Sequence, residues 1–222
     1  MSSLADLHDV KHGNVLHEKM RIGGKRVGHD RVIEVRNPYN GALVGTVPKA
    51  STEDIRHAFA VARAYKAQLT RYERFRICQR TAELIRGRTD AISDLITAEC
   101  GISKKDSLYE VGRACDVFVF AGNAALTDDG QVFSCDLTPH GKSRKVYTLR
   151  EPLLGVISAI TPFNHPLNQV AHKVAPSIAT NNRMVLKPTE KTPLSALVII
   201  SSAMSFGSPV ITESICGGRP AS

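Results

Sequence analysis

A chain of 222 residues, 42% of them hydrophobic, is long enough to bury a sizeable core. Its formal charge of +8 comes from dispersed basic residues, and only 5% of the chain is aromatic, with no Trp. That distribution argues against nucleic-acid binding, which gathers charge on one face or interleaves it with stacking rings, and suits a small anionic substrate better. No run approaches the roughly eighteen apolar residues a membrane span needs, so no membrane role is expected and the cytoplasm is the default location. The five cysteines, Cys78, Cys100, Cys115, Cys135 and Cys216, are odd in number and show no CxxC or Cys/His ligand spacing. Neither a disulfide framework nor a metal site is expected from them.

Residues 1–19 are polar and His-rich, lack the pattern of a secretory signal, and are expected to be loose. The runs RVIEVR at 31–36 and ALVGTV at 42–47 predict strands around the turn Asn37-Pro38-Tyr39-Asn40-Gly41. Ser51-Thr52-Glu53-Asp54 predicts a capped helix start, followed by Ile55, Ala58, Phe59 and Ala62 at helical spacing. A second helical region spans about 72–99 with a break near Gly87, and Gly101 stops it. A third helix follows Ser103 and is expected to carry Tyr109, Ala114, Val117, Phe118 and Ala121 toward a core. Cys100 and Cys115 fall in these helical patterns and read as small buried hydrophobes.

After a turn at Asp128-Asp129-Gly130, residues 131–150 change character: QVFSCDL, a turn at Pro139-His140-Gly141-Lys142, then RKVYTLR. This is a hairpin, which is marginal alone and needs a partner surface. Residues 155–193 then read as an apolar strand, a Pro/Asn turn, a helix, a second apolar strand and a charged turn opening another helix. Two strand ends thus place polar residues at one edge of a sheet, the edge where open α/β sheets bind ligands. Pro193-Leu194-Ser195-Ala196-Leu197 begins a further helix, and from Val198 the pattern is expected to fail.

Taken alone, each polar group at this edge has two readings. Asn164, between two prolines, suits a structural turn as well as a donor. Lys187 and Glu190 suit solvated charges at a helix start, where a carboxylate favours the positive dipole end, as well as ligand contacts. His165 suits a packed turn residue as well as a channel-facing one.

Thr161-Pro162-Phe163-Asn164-His165-Pro166 and Lys187-Pro188-Thr189-Glu190-Lys191-Thr192-Pro193 resemble, in motif and spacing, two signatures of the aldehyde dehydrogenase superfamily. The resemblance extends through Asn37-Pro38, the helices after Ser51 and Arg150-Glu151-Pro152, covering about 20–197. It implies an incomplete Rossmann-like α/β coenzyme-binding domain with a β-hairpin at 131–150 that serves as an oligomerisation ribbon, followed by an aberrant or divergent tail at 198–222. It also implies oxidation of an aldehyde with NAD. Ile160, Thr161, Pro162 and Phe163 would line the coenzyme site, with Lys187, Thr189 and Glu190 at the ribose. A carboxylate there disfavours the 2′-phosphate of NADP.

By the same resemblance Asn164 is the oxyanion donor, and Arg113 and His165 line the substrate channel. A His and an Arg together would suit an anionic aldehyde through charge-assisted hydrogen bonds. The stretches Tyr109-Glu110-Val111-Gly112-Arg113 and Asn181-Asn182-Arg183 are similar to those of phosphonoacetaldehyde dehydrogenases. No counterpart of the family's nucleophile or general-base segments is found, and Cys216 lacks the flanks of a nucleophile. The expectation is therefore a chain inactive alone, belonging to a homo-oligomeric family. The alternative is a non-catalytic fragment that docks onto full-length subunits through its hairpin.

Overall fold

The computed structural model describes residues 15–66, 69–204 and 212–214. Three short strands lead: β1 (Leu16–His17), β2 (Met20–Ile22) and β3 (Lys25–Val27), followed by β4 (Val32–Arg36) and β5 (Leu43–Pro48). β5 pairs in parallel with β1 and antiparallel with β4. Leu16 is buried in this pairing, inside the segment read as loose. The turn between β4 and β5 closes on Asn37, whose backbone N–H donates to Ala42 at 2.9 Å and whose side-chain oxygen accepts from Tyr39 N at 2.9 Å.

Four helices follow: α1 (Thr52–Ala64), α2 (Arg71–Arg86), α3 (Thr89–Cys100) and α4 (Lys104–Leu126). Their ends are set by local chemistry. Ser51 and Asp54 form a reciprocal capping box on α1, and Thr70 and Glu73 form a second on α2. Gly101 stops α3 with φ 79°, in the left-handed region, and a Cβ there would stand 2.7 Å from Pro38 Cγ. Ser103 caps α4 by accepting from Asp106 N at 3.1 Å. Along α4, Ala114 and Phe118 are fully buried and Val117 and Ala121 pack against the core, as the spacing predicts. Tyr109 does not join them: it is 67% exposed, because the core-facing stripe at this turn runs through Ser107, Glu110 and Val111 instead.

β6 (Gln131–Ser134) and β7 (Lys145–Thr148) pair antiparallel as a separate two-stranded ribbon. The backbone of Cys135 extends that ladder to Arg144 at 3.0 Å. Every residue of both strands is exposed, including Val132, Phe133, Val146 and Tyr147.

The remaining elements are β8 (Ile157–Ile160), α5 (Asn168–Ala179), β9 (Met184–Lys187), α6 (Pro193–Met204) and β10 (Thr212–Ser214). They complete a five-stranded sheet in the order β3-β2-β10-β9-β8. β8, β9 and β10 run parallel, with α5 and α6 as their crossovers, and β2 joins β10 antiparallel. Successive side chains of a strand face opposite ways. Accordingly Met184 and Leu186 enter the large core with Phe118, Ile85 and Leu197, while Val185 joins Met20, Ile22, Ala58 and Ala62 in a smaller cluster. Helices therefore cover both faces, which is the Rossmann-like α/β arrangement expected.

α6 corrects one expectation. The helix that Pro193 opens does not fail at Val198 but continues to Met204, with Val198, Ile199, Ile200 and Ala203 buried. A helix buried on all sides has no polar face to mark its period. The two serines beyond Val198 are also bonded: Ser202 Oγ donates to Val198 O at 2.8 Å, and Ser201 Oγ accepts from Arg21 at 3.1 Å.

Candidate active site

Parallel pairing of β8 with β9 sets Ile160 opposite Lys187, so the chain leaves both strands at one edge of the sheet. The 161–166 and 187–193 turns are then tied to each other. Thr161 N donates to Lys187 O at 3.3 Å, and Thr192 Oγ1 donates to Phe163 O at 3.5 Å. The ammonium of Lys191 stands over the Phe163 ring, 4.6 Å from its centroid. Thr161 is buried, whereas Ile160, Pro162, Phe163 and Asn164 are exposed. Among the described residues the Asn164 amide has no hydrogen-bond partner, so its N–H groups are available to a ligand.

On the second turn Lys187 Nζ lies 3.7 Å from Glu190 Oε2 and donates to Pro188 O at 3.3 Å. Thr189 Oγ1 accepts from Lys191 N at 3.4 Å. The pair thus presents an ammonium and a carboxylate side by side, each partly exposed, a donor set that fits a ribose diol.

Two buried glutamates, which sequence reasoning missed, hold these turns. Glu99 of α3 accepts from Leu194 N and Ser195 N, both at 2.9 Å, at the start of α6. Glu110 of α4 accepts through Oε1 from Leu167 N at 2.8 Å and Asn168 N at 2.9 Å, at the start of α5. Burial pushes the Glu99 carboxyl up to about 7, against the hydrogen bonds from Leu194 and Ser195 that hold it down. Burial raises Glu110 too, opposed by Asn168, Leu167 and His165. A signal existed in the sequence: Glu99 follows Ile92, Leu95 and Ile96 on the apolar stripe of α3, and Glu110 shares its stripe with Ala114.

His165 Nδ1 lies 3.6 Å from Glu110 Oε2, at ion-pair distance, with the imidazole 52% exposed. Arg113 is also exposed, and its contacts are with Tyr109: the guanidinium lies over the ring at 5.8 Å and donates to the hydroxyl at 3.4 Å. The structure therefore joins His165 to α4 through Glu110, while Arg113 packs against the preceding turn of the same helix.

None of the cysteines near this edge is set up as a thiolate. Burial, with the charges of Glu99 and Glu110, pushes Cys100 up to about 11, and its thiol donates to Phe163 O at 3.2 Å. Burial raises Cys78 to about 12 and raises Cys115 as well. Cys216 lies outside the described residues. Among the described residues no three His, Cys, Asp or Glu side chains gather as a metal site, and no helix is long and apolar enough to cross a membrane.

An open α/β sheet with helices on both faces and paired polar turns at its carboxyl edge defines a coenzyme-binding class of protein. Comparison with known proteins narrows that class. The model of the Aldehyde dehydrogenase family matches residues 26–219. The chain is 36% identical over 189 residues to aspartate-semialdehyde dehydrogenase 1 of Pseudomonas canavaninivorans, covering 84% of this chain and 40% of that protein. It superimposes on aldehyde dehydrogenase 21 of Physcomitrella patens, solved with the reaction product succinate, with a TM-score of 0.85 and 29% identity, covering 93% of this chain and 44% of that one. Against NADP-dependent glyceraldehyde-3-phosphate dehydrogenase of Bacillus halodurans, solved with NADP, the TM-score is 0.81 at 28% identity, covering 91% and 44%. The chain belongs to the aldehyde dehydrogenase family. It spans less than half the length of these relatives, and solved members of the family include both NAD- and NADP-dependent enzymes.

Proposed function

We propose that this chain supplies the coenzyme edge and the oxyanion turn for NAD-dependent oxidation of an aldehyde that bears a terminal anionic group. Phosphonoacetaldehyde, oxidised to phosphonoacetate, is the substrate we favour. The observation that carries this reading is the tie between the two strand-end turns, which sets Asn164 and the Lys187–Glu190 pair on one edge.

In this reading the Asn164 amide donates to the carbonyl oxygen as it gains negative charge. Lys187 donates to a ribose hydroxyl and Glu190 accepts from one, while Ile160, Thr161, Pro162, Phe163 and Thr189 shape the surrounding cradle. The nicotinamide, when bound, accepts the hydride of the aldehyde carbon. The Glu190 carboxylate repels a 2′-phosphate, which favours NAD over NADP. His165 and Arg113 receive the anionic group. Aspartate semialdehyde, succinate and glyceraldehyde 3-phosphate, named with the relatives, all carry such a group. With Cys78, Cys100 and Cys115 all held as thiols, the attack on the carbonyl is not made by these residues, and the chain alone is proposed to be silent. A cytoplasmic, homo-oligomeric enzyme completes the proposal.

In a full-length homologue with the same two turns, NADH formation should show a higher kcat/KM for phosphonoacetaldehyde than for propionaldehyde. Lys187→Ala should raise the KM for NAD about tenfold, the value of one hydrogen bond to a charged group. Equal rates on the two aldehydes would remove the anionic substrate, and an unchanged KM would remove the ribose contact.

A second reading is favoured by the exposed apolar residues of the β6–β7 ribbon. The chain would dock through it onto full-length subunits without catalysing anything. Co-expression of tagged chain with an intact relative should then give co-purification, lost when Val132 and Tyr147 are replaced by Ser; separate elution would remove this reading.

A further inference from the structure

Glu110 has a divided task. It is 2% exposed on α4, and its Oε1 receives both backbone N–H groups that open α5. α5 has no side-chain cap of its own, since Leu167 stands at its N-cap position, so the cap comes from another helix. With Oε1 fixed by two donors, the position of Oε2 is fixed too. That oxygen is buried and has no hydrogen-bond partner, and it lies 3.6 Å from His165 Nδ1. The His165 backbone is itself anchored, its carbonyl accepting from Gln169 N at 3.0 Å. The half-exposed imidazole is the freer partner of this 3.6 Å contact. Leaving a buried acceptor without a donor is costly, which favours the ring state that supplies one.

We infer that Glu110 is a positioning residue: its Oε2 accepts from a protonated Nδ1 of His165, fixing the ring's tautomer and leaving Nε2 as the atom that meets a ligand beside Asn164. The functional consequence rests on the reading of the 161–166 turn as substrate-facing. With a neutral ring, Nε2 is an acceptor. With a second proton, Nε2–H becomes a charge-assisted donor while Nδ1–H stays on the carboxylate. Only in the second state does Nε2 itself donate to an anionic group. The groups that face Glu110 are His165 of the turn, the Leu167 and Asn168 N–H groups of α5, and Glu99 and Cys100 of α3.

The test is the tautomer of His165, read from long-range ¹H–¹⁵N correlations of the whole chain in mildly alkaline solution, where free imidazole is neutral. The wild-type ring should carry its proton on Nδ1. Glu110→Gln keeps an amide oxygen for Leu167 and Asn168 but removes the carboxylate from Nδ1, and should shift the proton to Nε2. A purely structural Glu110 would leave the tautomer alike in both. A wild-type ring protonated on Nε2 overturns the inference, whether or not the variant folds, and so does a variant that retains Nδ1–H. Titration with methylphosphonate below neutrality separates this from the substrate proposal. Nδ1–H with no methylphosphonate shift at Nε2 supports the positioning role and counts against the anionic substrate alone.

Discussion

Replacing Glu99 with Ala should lower the unfolding free energy by about 2–6 kcal/mol at pH 5, since each of two buried N–H groups left without an acceptor costs about 1–3 kcal/mol. The donors are Leu194 and Ser195 at the start of α6, both buried and both 2.9 Å from the carboxylate. The same residue should make stability depend on pH. Its carboxyl is raised from 4.5 to about 7 in the fold, so the folded chain binds the proton more tightly than the unfolded one. That contribution is fully present below pH 4.5 and is lost as pH rises to about 7. The loss is on the order of 3 kcal/mol. Urea denaturation at pH 5 and pH 8 should show the decline in the wild type and a much smaller one in Glu99→Ala. It should not vanish, because Glu110 is shifted in the same direction. An unchanged pH dependence would show that Glu99 is not the titrating group.

Phe118→Ala should cost about 3–5 kcal/mol, near the upper end of the range. Among the described residues Phe118 is the largest fully buried side chain, on the face of α4 that meets the core. How much such a site costs depends on whether its walls can close in. Here they are already in contact one turn further on: a Cβ at Gly122 would stand 3.0 Å from Cys78 Cβ of α2 and 3.4 Å from Phe75 O. With the two helices touching at that point, α4 cannot move inward to fill the space the ring leaves. A fall in midpoint on the order of 10 °C in a thermal scan is expected. A fall of one or two degrees would mean that α4 closes the gap by another movement.

Much of this fold was legible because its signals are local. The Ser51 capping box, the break at Gly87, the left-handed Gly101 and the β8–α5–β9 unit each depend on a few neighbouring residues, and each stands where the spacing predicted. The same holds for the paired turns, whose residues lie just beyond strands that can be read from their apolar runs. What was not legible depends on distant partners. Glu99 and Glu110 look like ordinary helical charges until the N–H groups of Leu194 and Leu167, 95 and 57 residues away, are placed against them. The helical pattern that turns Ala114 and Phe118 inward does not extend to Tyr109, because Glu110 beside it takes the inward position. The length of α6 is hidden because a helix buried all round shows no alternation, and Ser201 and Ser202 look like breaks although their hydroxyls are bonded within the fold.

The two glutamates have an electrostatic consequence for whatever occupies the sheet edge. In many nucleotide-binding folds the positive end of the crossover helix is itself the anion receptor, its free N–H groups gripping a pyrophosphate. Here both crossover helices arrive with that position already filled by a carboxylate of their own chain. A diphosphate approaching the start of α5 or α6 would find two donors of each already given to a carboxyl group. The Leu167–Asn168 and Leu194–Ser195 N–H pairs are therefore closed to a phosphate for as long as Glu110 and Glu99 keep them.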